Sequence, residues 1–283
     1  MKTLGISYSG EHDTSCALVV DGKLVFAVSE ERLTRIKHDA SFPIKSIETA
    51  LRFANLKSSD IDYVVIAWSP PLRQLRFDIG LTLRSSPSPK SLLYTLYSRS
   101  RHLWIKGGFK RYEQYFGKSK FLFCPHHLSH AISAYAYSPF NEATAVVIDG
   151  RGAYEATSIW HAKDGKIEPV EIINFPNSLG LFYAMFTKYL GFRPLSDEWK
   201  VMGLAPYGKD GIDLKDFIQN ENVPYEVNWK QLLRKGMSDV SGIEEIFGPG
   251  RKEWEEINEK QKNIAFAVQR ETEKAKLPSW RAR

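Results

Sequence analysis

Apolar residues gather into short runs over residues 3 to 9, 15 to 20 and Leu24 to Val28, with polar and glycine-containing turns between them. Runs of this length, bounded by turn signals, predict buried strands. Asp21-Gly22 joins the second to the third, and an Asp-Gly pair between apolar runs predicts a tight hairpin because a type I′ turn needs positive φ at both positions. The period then changes. Ile44, Ile47, Ala50, Leu51 and Ala54 recur at helical spacing after Pro43, and Ile61 to Trp68 returns to strand before Pro70-Pro71 closes that unit. A strand at 121 to 123, a helix from about 126 and a strand at 143 to 149 follow.

The opening pattern repeats. Thr14 to Leu24 lies over Thr157 to Ile167 at a constant offset of 143, and Asp21-Gly22 falls on Asp164-Gly165. In both copies a strand and a glycine turn precede the hairpin: Ser9-Gly10-Glu11 in one, Asp149-Gly150-Arg151-Gly152 in the other. Such self-similarity predicts a duplicated α/β fold with its ligand between the copies, where turn N-H groups can cradle a phosphate. Further on, Leu179, Phe182, Phe186 and Leu190 form an apolar helical stripe, and Asp197 to Gly208 reads as a loop that could carry Lys200 toward an anion. Asn258 to Lys274 predicts a last helix, and the tail from Leu277 has no periodicity.

Composition adds bounds. The 283 residues, 43% hydrophobic and 25% charged, are long enough for one large domain or two ordinary ones with a sizeable core. No run reaches the roughly 20 apolar residues that cross a bilayer, and the N-terminus meets Glu11, His12 and Asp13 too early for a signal peptide. A cytoplasmic protein is expected, without a membrane partner. Cys16 and Cys124 are too few for a disulfide framework. The net charge of +6 is concentrated between Arg73 and Lys120, where eleven Lys or Arg face two acids among many aromatics. That segment reads either as a surface for anionic partners or as a helical insertion with core aromatics and solvated charges. The insertion is favoured over nucleic-acid binding, since no recognised RNA or DNA motif sits there.

The candidate chemistry centres on Pro125-His126-His127-Leu128-Ser129-His130. If Pro125 opens a helix, His126 and His130 share one face a turn apart, the spacing of a metal chelate. Packing or capping by the same histidines is the plainer reading.

Five segments in register carry a family likeness: Gly10-Glu11-His12-Asp13-Thr14-Ser15, Ser29 to His38, His126 to Ala131, Asp149-Gly150-Arg151-Gly152 and Lys200-Val201-Met202-Gly203-Leu204-Ala205. Over residues 3 to about 270 the chain resembles the N-terminal part of the O-carbamoyltransferases that act on nodulation factors, cephamycin and tobramycin-type antibiotics. The resemblance implies a duplicated fold of the actin, heat-shock-chaperone and sugar-kinase type (ribonuclease H-like), with residues 73 to 120 as a basic insertion and 271 to 283 as an atypical tail. In that family, carbamoyl adenylate made from ATP and carbamoyl phosphate gives its carbamoyl group to a hydroxyl acceptor. By matching positions, His126, His130 and Asp149 would hold Fe(2+) or another divalent metal. His12 would be the catalytic histidine; from its own position, Asp13 reads either as a catalytic partner that orients His12 or as a turn residue that satisfies backbone donors. Lys37, Gly150, Gly152 and Lys200 would meet the nucleotide, and Gly10, Ser178 and Gly180 would lie by the acceptor. Members are expected to be about twice as long, so a second chain supplying the remaining half is expected for activity. The alternatives are a non-catalytic binding module of the same fold and a kinase; an HxxxH pair is not needed for phosphoryl transfer.

Overall fold

The computed structural model describes residues 1–8, 13–68, 71–85, 93, 96, 109–117, 119–220, 225–233 and 239–276. These form two compact units, Met1–Ile132 and Ser133–Arg283. The tail from residue 277, much of the basic segment, and Gly10 and His12 lie outside the described residues.

In the first unit, β1 (Lys2–Ser7), β2 (Ser15–Val20) and β3 (Lys23–Ser29) form an antiparallel meander, with Asp21 and Gly22 at φ 49° and 79° as a type I′ turn requires. Two parallel strands, β4 (Tyr63–Ile66) and β5 (Lys120–Phe123), extend it to the order β3-β2-β1-β4-β5. Register explains the core. Leu4 faces Leu18 on one side and Val64 on the other, and Ile6 faces Cys16 and Ile66, so one side of the sheet is continuously apolar. Ile47, Ala50 and Leu51 of α2 (Ile44–Phe53) belong to the same buried cluster. Each buried Leu, Ile or Val among them contributes roughly 1.5–3 kcal/mol on burial.

Helix α1 (Glu30–Thr34) follows β3 directly, and its Glu30 is buried for a structural reason. The carboxylate accepts the Lys45 and Ser46 N-H groups and the Ser46 hydroxyl at 3.0, 2.7 and 2.6 Å, satisfying the donors that the first turn of α2 leaves open. Parts of the basic segment are described. They include α3 (Pro71–Ser85) and α4 (Phe109–Phe116), and Tyr112 and Phe116 of α4 join the core. Helix α5 (His126–Ala136) begins one residue after Pro125.

The second unit repeats the meander with β6 (Glu142–Ile148), β7 (Glu155–Lys163) and β8 (Lys166–Asn174). Asp164 and Gly165 have φ of 50° and 75°, and both hairpins break at positions 143 residues apart. Strand order and repeated meander are those of a duplicated, mixed α/β fold of the actin type. Helix α6 (Leu179–Tyr189) is buried nearly all round, which is why its stripe is broad. The expected loop at 197 to 208 is instead α7 (Glu198–Leu204) and a 3-10 turn (Ala205–Tyr207). Val201 is fully buried and Glu198 favours the helix start, while Pro206 falls in the 3-10 turn, where it interrupts nothing. The remaining elements are β9 (Ile218–Gln219), β10 (Glu226–Val227), α8 (Trp229–Leu232), α9 (Ser241–Phe247) and α10 (Glu259–Lys276). No described helix is long and apolar enough to cross a membrane.

Candidate functional site

In the first unit, the four-residue spacing on α5 brings the two imidazoles together. His126 Nε2 and His130 Nε2 are 3.1 Å apart with the rings at 89°. Two nitrogens each about 2.0–2.1 Å from one ion, at angles between right and tetrahedral, stand about 2.9–3.4 Å apart, so the pair fits a shared metal. Trp68 supports it, its ring meeting His126 edge-on at 5.1 Å between centroids. His127 differs from both neighbours in that its side chain is fully buried. His126 is half-buried and His130 exposed, so the edge that carries both rings is accessible.

Asp13 and Lys37 also belong to the first unit. Asp13 stands just before β2 at φ 48°, and its Oδ1 meets His38 Nδ1 at 3.0 Å. Lys37 is exposed in the loop after α1.

The second unit holds the other candidates. Asp149 follows β6, where its N-H donates to the Ala156 carbonyl at 2.9 Å and its Oδ1 accepts the Gly150 N-H at 2.7 Å. The Gly152 N-H donates to the Glu155 carbonyl at 2.7 Å. Both turn donors are therefore engaged inside the turn. Ser178 caps α6 by accepting the Leu181 N-H at 3.0 Å, and its hydroxyl donates to the Gly150 carbonyl at 2.7 Å. Gly180 lies against the same turn: a Cβ there would stand 2.6 Å from Gly150 N. Ser178 and Gly180 are thus brought together with Asp149 and Gly150, and both fix the turn that presents the Asp149 carboxylate. Lys200 is tied elsewhere, its Nζ 3.1 Å from Asp197 Oδ2. Arg193 shares that carboxylate, and its hydrogen bond, with a smaller one from Lys200, holds Asp197 well below the usual carboxylate range.

Sequence reasoning missed two groups. Glu31 and His38 join Asp13 in one cluster, though both sit inside the Ser29 to His38 motif that carries the likeness. Arg251, buried, donates from its guanidinium to the carbonyls of Leu190, Gly191, Lys252, Glu253 and Glu255. Nothing in the local sequence marks it, because its partners are main-chain atoms.

The family profile described as Carbamoyltransferase N-terminus matches residues 2–278. An uncharacterised Synechocystis protein is 36% identical over 97% of this chain and 47% of its own length. Nodulation protein NolNO of Sinorhizobium fredii is 36% identical over 70% of this chain and 28% of its own. The chain thus spans about half or less of the curated relatives it matches. Among solved structures, YeaZ from Pseudomonas aeruginosa aligns at TM-score 0.34 and 13% identity over 62% of this chain and 70% of that one.

Proposed function

From the premise that the chain belongs to the carbamoyltransferase family, matching its N-terminal profile over residues 2–278, we propose that it carries the acceptor-side chemistry of an O-carbamoyltransferase. In this reading a carbamoyl group passes from carbamoyl adenylate, itself made from carbamoyl phosphate and ATP, to a hydroxyl of a small molecule. The observation that carries the reading is the paired His126 and His130, 3.1 Å apart on an accessible helix edge, in a family member. Asp149 is the proposed third ligand, and Fe(2+) the proposed ion among divalent metals. When bound, such an ion polarises a carbonyl or holds a phosphate oxygen.

The chain's own residues divide the remaining work. His12 is the proposed proton acceptor for the hydroxyl, since an imidazole titrates near neutral pH and an alcohol is a poor nucleophile until its proton leaves. Asp13, next in the chain to His12 and with its Oδ1 3.0 Å from His38 Nδ1, is the proposed residue that orients His12. Lys37 and Lys200 supply positive charge for a nucleotide's phosphates, and Gly150 and Gly152 let a ligand approach the backbone closely. Ser178 and Gly180 hold the turn by which the acceptor would lie, and Gly10 is the proposed acceptor-side residue of the first copy. The partner supplying the remaining half, and a cytoplasmic setting, belong to the same proposal.

Supplying ready-made carbamoyl adenylate tests this directly. The chain, loaded with Fe(2+) and combined with the remaining half taken from the Synechocystis relative, is offered carbon-labelled carbamoyl adenylate, and in a parallel reaction ATP, with a set of sugar and aminoglycoside alcohols. Labelled carbamate ester that disappears in the His126→Ala/His130→Ala variant is expected. Phosphorylated acceptor formed from ATP, with no carbamate ester, would overturn the reading in favour of a kinase.

A further inference from the structure

Asp13, Glu31 and His38 each offer a ligand atom, and these atoms all lie within 4.8 Å of one another. They come from separate pieces of chain: the turn before β2, helix α1, and the loop that follows α1. Backbone bonds between their neighbours bring those pieces together. The Thr14 N-H donates to the Asp39 carbonyl at 3.1 Å, and the Glu30 N-H donates to the Thr14 carbonyl at 2.8 Å. The scaffold therefore gathers the three side chains, which also bond to one another. His38 Nδ1 faces Asp13 Oδ1 at 3.0 Å, and the His38 main-chain N-H donates to Glu31 Oε2 at 3.0 Å.

The composition of the cluster matters. An imidazole beside one carboxylate is an ordinary ion pair, but here a second carboxylate converges on the same point, with Arg32 at 3.6 Å from its far oxygen. Two carboxylates and an imidazole make a mixed oxygen and nitrogen donor set, which suits Mn(2+), Fe(2+) or Zn(2+). The side chains are accessible, at 52% for Asp13 and 37% for His38, so an ion can reach them from solvent.

We infer that Asp13, Glu31 and His38 form a second divalent-metal site, distinct from the histidine pair on α5. Three protein ligands leave positions for water or for phosphate oxygens of a bound ligand, the arrangement by which carboxylate-held cations commonly meet phosphorylated molecules. Exposed Lys37, next in the chain to His38, adds charge of the same use. The site does not depend on the carbamoyl reading.

Manganese binding by the full chain, followed through the electron paramagnetic resonance of free Mn(2+), tests it. Wild type is expected to bind one ion more than the Glu31→Gln/His38→Gln variant, while His126→Ala/His130→Ala retains that ion. Asp13→Asn, a conservative change at an exposed position, is expected to weaken it at least about tenfold. Circular dichroism confirms that each variant is folded. Equal stoichiometry and affinity in wild type, Glu31→Gln/His38→Gln and Asp13→Asn would overturn the inference, as would loss of every ion in His126→Ala/His130→Ala. Loss of an ion in Glu31→Gln/His38→Gln, with none lost from the histidine variant, leaves this site standing and removes the other.

Discussion

Gly180→Ala is a small change with a large expected effect. Its Cβ would stand 2.6 Å from Gly150 N and 2.7 Å from the carbonyl carbon and oxygen of Asp149. Ordinary carbon contacts lie near 3.5–4.0 Å, so the overlap approaches an ångström. The atoms met are backbone, pinned by the Asp149 N-H bond to Ala156 at 2.9 Å and by the Ser178 hydroxyl at 2.7 Å from the Gly150 carbonyl. No flexible side chain can swing aside. Overpacking of this kind costs about 1–3 kcal/mol. At roughly 2–4 °C per kcal/mol for a unit of this size, Tm should fall by about 2–12 °C. Gly203→Ala is the control. It lies in α7 with nothing within 4 Å of the added Cβ, and removing a helical glycine there should gain about 0.5–1 kcal/mol. Thermal unfolding followed by circular dichroism reads both. A Gly180→Ala protein that melts at or above wild type refutes the steric reasoning; Gly203→Ala should melt slightly higher.

Other substitutions probe different parts of the molecule. Glu30→Ala strands the Lys45 and Ser46 donors that the carboxylate serves, and should cost on the order of 3 kcal/mol in urea unfolding, whereas neighbouring Glu31→Gln should stay near wild type. Asp197 has a folded pKa below its unfolded value, so its contribution is complete above the ordinary aspartate range and lost as pH falls through and below it. Melting curves between pH 6 and pH 2 should therefore show wild type losing more Tm on acidification than Asp197→Asn; parallel losses would contradict the Arg193 and Lys200 pairing. Burial, with a smaller push from Glu30, raises the Cys16 thiol to about 12, so a thiol reagent at pH 8 should modify Cys16 only after unfolding.

How much of this was legible in the sequence differs by feature. The two hairpins were, because Asp-Gly turns encode their own backbone angles and the adjoining runs set the register. The histidine pair was legible as well, because helical spacing places i and i+4 on one face without help from the rest of the chain. Helix α7 was not. Its glycine, proline and charges mimic a loop, and only burial of Val201 in the tertiary structure decides otherwise. The cluster of Asp13, Glu31 and His38 was hidden for a related reason. Its convergence rests on main-chain bonds from Thr14 to Asp39 and Glu30, which no local pattern announces. Arg251 escapes for the same cause, as its guanidinium serves carbonyls up to 61 residues away.

Whether His126, His130 and Asp149 hold one cation is tested most directly by anaerobic Fe(2+) titration calorimetry in the Glu31→Gln/His38→Gln background. His126→Ala/His130→Ala and Asp149→Asn should each remove the same remaining ion, lowering its affinity by more than about 100-fold. Unchanged binding in either variant would contradict a shared metal.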